Sequence, residues 1–108
     1  MNIKAKESMV SLKGLFDRPE VDSDLYKLIR ATYFNKTKTA LELIENDPEQ
    51  INRRDPYGGL TALHIAVFRQ NEDIVRAVIQ HPQHTSSIKD VFGRRAYDML
   101  IYLSLIHI

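Results

Sequence analysis

Hydrophobic positions along this chain fall into short stripes spaced three and four apart, the period of one helical face. Ala5, Met9, Leu12 and Phe16 make the earliest stripe and predict a leading helix over residues 5–16. Asp17-Arg18-Pro19-Glu20 ends it, because proline drives its predecessor out of helical geometry. Asp22-Ser23-Asp24 then offers an N-cap for a helix that turns Leu25, Leu28, Ile29 and Tyr33 inward. Beyond Asn35-Lys36 a second helix is predicted over residues 37–45, with Ala40, Leu41, Leu43 and Ile44 on its core side, and Asn46-Asp47-Pro48 stops it.

The same unit then recurs. A turn-rich stretch, Asn52-Arg53-Arg54-Asp55-Pro56-Tyr57-Gly58-Gly59, precedes helix-forming sequence over residues 61–69. Asn71 caps a further helix carrying Ile74, Val75, Val78 and Ile79, which His81-Pro82 terminates. A third start follows at Asp90-Val91-Phe92-Gly93 and Arg95-Ala96-Tyr97-Asp98-Met99-Leu100. Leu28 and Leu63, Ala31 and Ala66, Leu43 and Val78, Ile44 and Ile79, Asp55 and Asp90, and Gly58 and Gly93 all lie 35 residues apart. A fixed period of this length marks a stacked-repeat architecture. Gly58 and Gly93 are expected to supply the turn conformations of the two loops.

The second unit resembles the ankyrin repeat family. It carries Asp55-x-x-Gly58, Thr61-Ala62-Leu63-His64-Ile65-Ala66 with alanine in place of the usual proline, and the Ile74-Val75 and Val78-Ile79 pairs; Ile51-Asn52 matches the close of a preceding copy. The first unit keeps only the apolar positions. The resemblance spans roughly residues 21–102 and is strongest from Ile51 onward. It implies an all-α fold, an ankyrin-repeat α-solenoid of helix-turn-helix units with short β-hairpin-like loops, preceded by an N-terminal helix. The expected organisation is a capping helix and loop over 1–21 and repeats over 22–102 (22–54, 55–89 and an incomplete 90–102). The tail Leu103-Ser104-Leu105-Ile106-His107-Ile108 matches the translated end of a widely used sequencing-library transposon. It is therefore expected to be an adapter scar, with the natural chain continuing past about Tyr102.

Composition narrows the function without naming it. Fifteen basic and 14 acidic side chains leave a net charge of +1, so no large field points to nucleic acid or an anionic membrane. The chain contains no cysteine, which removes disulfides, thiolate metal sites and a cysteine nucleophile. No stretch reaches the roughly 18 apolar residues of a membrane span. A soluble cytoplasmic protein, acting as a monomer, is the expectation.

No Gly-x-Ser-x-Gly turn or glycine-rich phosphate loop occurs, so no catalytic or cofactor-binding residue is assigned and no cofactor is expected. His64 is read as ordering the junction between loop and helix, as the resemblance implies. His81 and His84 lack the third ligand a metal site needs, and none is assigned. Arg53-Arg54 and Arg94-Arg95 are read mainly as solvated loop charge, with an acidic partner as the sharper option.

What the resemblance implies is a non-catalytic scaffold that binds a partner protein on the face made by loop tips and first helices. Carried over by position, that face comprises Tyr33, Phe34, Arg54, Pro56, Tyr57, Leu60, Phe68, Arg69, Val91, Phe92 and Arg94. Aromatic and arginine side chains are the usual anchors of such surfaces. For Tyr33 and Phe68, packing against a neighbouring repeat is an equal alternative. The competing reading is an N-terminal regulatory or targeting segment of a larger enzyme, channel or effector.

Overall fold

A computed structural model describes residues 23–85 and 87–99. The leading helix expected over 5–16, the Asp22 cap position and the tail 103–108 lie outside the described residues. Among the described residues the fold is all-helical: four α-helices, three single-turn 3-10 segments and no strand. None of these helices is long and apolar enough to cross a membrane.

The first helix pair is α1 (Lys27–Tyr33) and α2 (Thr37–Asn46), and the second is α3 (Ala62–Arg69) and α4 (Glu72–Gln80). α1 packs on α3 and α2 on α4, so first helices form one layer and second helices the other. A 3-10 turn over Ala96–Met99 packs against α3 where a third first helix would begin. Each helix pair thereby covers an apolar face its neighbour cannot bury alone.

Local sequence explains each element. α4 is sharply two-sided: Ile74, Val75 and Val78 are buried while Glu72, Asp73 and Arg76 are exposed. α3 lies between neighbours, and all of Ala62 to Phe68 is buried, as its almost uninterrupted apolar sequence requires. Thr61 caps it, its hydroxyl accepting from the His64 backbone N–H at 3.3 Å. Asn71 caps α4, accepting from the Ile74 N–H at 3.2 Å.

Both tight turns between paired helices are built alike. Asn35 and Gln70, 35 residues apart, take the left-handed conformation (φ 59° and 56°). Lys36 N–H returns to the Ala31 carbonyl at 2.8 Å, and Asn71 N–H to that of Ala66 at 2.9 Å. Asn35 N–H and Gln70 N–H bond Thr32 and Val67 carbonyls at 3.0 Å each, completing two Schellman caps. The small Ala31 and Ala66 lie at the closing position of each cap.

Three expectations are corrected. Leu25 is 45% exposed rather than core-facing, because the chain enters α1 through a 3-10 turn over Ser23–Tyr26, whose three-residue period shifts the register. Leu41 is also outward, at 36% exposure, since Ala40 and Ile44 occupy the inward stripe and Leu41 falls on its flank. Gly59, not Gly58, carries the positive φ of the first loop (66°), matching Gly93 (77°) in the second. The loop after Asp55 is one residue longer than that after Asp90, so the glycine directly before the closing residue takes the strained conformation.

Candidate functional site

Two acidic side chains organise the loops. Asp55 is 3% exposed, and its carboxylate accepts backbone N–H bonds from Tyr57 (2.9 Å), Gly58 (2.7 Å) and Leu60 (2.7 Å). Asp90, 4% exposed, accepts from the N–H groups of Phe92 (2.9 Å) and Arg94 (3.0 Å), and its other oxygen meets the Arg94 guanidinium at 2.6 Å. Each carboxylate thus replaces solvent for a turn's inward N–H groups and pushes the loop's intervening residues outward. Val91 N–H donates to the Gly58 carbonyl at 2.9 Å, which sets the two loop tips side by side.

His64 ties the second loop to α3. Its ring is fully buried; Nδ1 accepts from the Thr61 N–H at 3.2 Å, so Nε2 carries the proton and donates to the Arg94 carbonyl at 2.8 Å. Burial holds its pKa below the usual 6.5, against the opposing pull of the Arg94 carbonyl and Asp90. Both ring nitrogens are engaged in structure, as expected for an ordering role. Burial also lowers the pKa of His84. The His81 Nδ1 accepts from the Gln83 N–H at 3.1 Å, a local turn bond. Among the described residues no cluster of three His, Cys, Asp or Glu side chains is placed to hold a metal.

The residues expected to form a binding face divide into three groups. Tyr57 (40%), Val91 (59%), Phe92 (41%) and Phe34 (46%) are well exposed, and Arg54, Pro56 and Arg69 are exposed with them. Tyr33 and Arg94 are half-buried. Leu60 (0%) and Phe68 (3%) are core residues, which corrects the place of Leu60 on the face and, of the two readings of Phe68, leaves packing against a neighbouring repeat. The Asp55 turn draws the Leu60 N–H inward and its side chain follows into the core, while Phe68 is roofed by the Arg94 guanidinium at 5.4 Å from its ring centre.

Cation–π contacts link the remainder into a strip. Arg94 also lies 4.9 Å from the Phe92 ring, and Arg69 lies 5.0 Å from that of Tyr33 in the preceding repeat. Tyr33 meets Phe34 edge-to-face at 4.9 Å. Arg30 over Phe34, at 5.3 Å, extends the strip by a residue that positional carry-over missed, although the four-residue spacing on one helix signals it. Arg54 donates to the Gly59 carbonyl at 3.3 Å and stands over the first loop.

No curated protein and no solved structure matched the chain. Residues 28–79 match the family described as ankyrin repeats (many copies), the span from the start of α1 to the end of α4. With two helix pairs stacked in register, the Thr61–His64 cap and the paired aspartate turns, this chain is an ankyrin repeat-containing protein.

Proposed function

We propose that the protein is a non-catalytic interaction module that binds a partner protein on the face formed by its loop tips and first helices. Ankyrin repeats generally mediate protein–protein contacts and are generally non-catalytic. The observation that carries the reading is the cluster of Tyr57, Val91 and Phe92. These three large side chains, each 40% exposed or more, stand on two loop tips set side by side by the bond from Val91 N–H to the Gly58 carbonyl. Each tip is tied by several backbone N–H bonds to its aspartate, which lowers the ordering entropy of anchoring these side chains in a partner. Arg54, Arg69 and Phe34 border the cluster and the adjoining strip. The same face serves whether the repeats act alone, as a monomer, or as one module of a longer chain.

The test compares wild type, Tyr57→Ala/Phe92→Ala and the control Leu25→Ala/Leu41→Ala in affinity capture from a cell extract followed by binding of the recovered, purified partner. The loop-tip variant should lose the partner by about 100-fold with an unchanged melting midpoint, as for two interface anchors. The control should bind like wild type. Full binding by the loop-tip variant would move the site elsewhere.

A further inference from the structure

Charge in this fold is sorted by layer. The first helices α1 and α3 carry Lys27, Arg30 and Arg69 and no acidic residue. The second helices α2 and α4 carry Glu42, Glu45, Glu72 and Asp73 against only Lys38 and Arg76, and all four of those carboxylates are exposed. The loops add Arg53, Arg54 and Lys89, while Arg94 and Arg95 are ion-paired, with Asp90 at 2.6 Å and with the exposed Asp98 at 2.7 Å; Asp55 and Asp90 are turned inward onto backbone N–H groups. His64, buried beneath the loops, adds no charge, since burial lowers its pKa. A chain of net charge +1 therefore presents a basic face and an acidic back.

We propose that the partner segment held by this face is an acidic peptide stretch that also offers an apolar side chain to Tyr57, Val91 and Phe92. The proposal rests on the binding face argued above and adds the chemistry of its occupant. Arginine forks pair with carboxylates in bidentate geometry. Arg54 and Arg69 are exposed, and Arg54 donates to the Gly59 carbonyl in the loop that also carries Tyr57. The carboxylates on the back repel the same segment, so the charge arrangement steers it to one side. A nucleic acid could stack bases on Tyr57 and Phe92, but a net charge of +1 and the carboxylates of the second helices give little field to hold a polyanion, which favours a short acidic peptide.

The experiment titrates the full 108-residue chain, isotopically labelled, with three probes while backbone amide NMR shifts are followed. The probes are a 12-residue peptide of Glu and Asp around a central Phe-Leu pair, the same peptide with Gln and Asn replacing the acids, and a 12-nucleotide single-stranded RNA. The acidic peptide should shift the amides of Arg54, Tyr57, Arg69, Val91 and Phe92, and raised salt should weaken it. Arg54→Glu/Arg69→Glu should bind it about tenfold or more weakly at an unchanged melting midpoint. Equal shifts by the neutral peptide at this face would overturn the acidic preference and leave the binding face standing. Stronger shifts by RNA would overturn the peptide assignment. Shifts confined to α2 and α4, or none with either peptide, would overturn both the inference and the face it rests on.

Discussion

The proton on His64 Nε2 bonds the carbonyl of Arg94 at 2.8 Å, across 30 residues of sequence, and so fastens the second loop to the helix of the preceding repeat. The same ring accepts the Thr61 N–H through Nδ1. The histidine is thereby committed to one neutral tautomer.

Protonating His64 would place a hydrogen on Nδ1, against the Thr61 N–H that now points at it. With the folded pKa below the usual 6.5, the unfolded chain binds the proton more readily. Stability is therefore fully present above 6.5 and is lost as pH falls through 6.5 toward the folded value. The melting midpoint should fall between about pH 7.5 and about pH 5. His64→Gln, which keeps a donor without titrating, should flatten that slope in circular-dichroism melts, leaving the contribution of His84 in the same direction. An equally steep slope in the variant would assign the effect to other groups.

The two adjacent glycines separate conformational need from packing. An added Cβ on Gly59 would combine a φ of 66° with a 2.7 Å approach to the Arg54 guanidinium. On Gly58 it would meet only ordinary contacts, none nearer than 3.5 Å. Gly59→Ala should cost about 1–2 kcal/mol and Gly58→Ala should stay within about 0.5 kcal/mol of wild type, measured by denaturant unfolding. The reverse order would mean that Gly58 is the turn residue after all.

Leu63 is 2% exposed at the junction of α3 with its neighbours. Leu63→Ala should cost about 2–4 kcal/mol, enough to melt a stack of this size. An unchanged denaturation midpoint would remove it from the core.

Asn71 joins repeats as well as capping α4. Its Nδ2 donates to Asn35 at 2.6 Å and to the Thr37 hydroxyl at 2.9 Å, while its Oδ1 takes the Ile74 N–H. Asn71→Asp keeps the cap acceptor and removes both donated bonds, so it isolates the link between repeats. A loss of about 1–2 kcal/mol is expected, with Asn71→Ala losing about 1 kcal/mol more. Equal stability of Asn71→Asp and wild type would reduce the residue to a cap.

Sequence by itself determined the helix pairs, the 35-residue period, the Asn71 cap and the ordering role of His64. The helices and the cap rest on local spacing or on side chains that bond within three or four residues, the period on recurrence along the chain, and the role of His64 on the family resemblance, although its bond to Arg94 spans 30 residues. Tertiary structure alone decided what is covered. Leu60 and Phe68 look as apolar as Val91 and Phe92 in the sequence, yet the first pair is buried and the second exposed. Exposure there depends on the Asp55 turn and on Arg94, which arrives from the next repeat. Neither left-handed cap carries glycine: Asn35 tolerates that conformation, but Gln70 gives no such signal and is held there by the cap bonds of Gln70 and Asn71 to Val67 and Ala66. The sorting of charge between layers was likewise present in the letters but had no meaning until α1 packed on α3 and α2 on α4. A periodic stripe reports which side chains avoid water, whereas the neighbour that covers them is about 35 residues away and is supplied only by the fold.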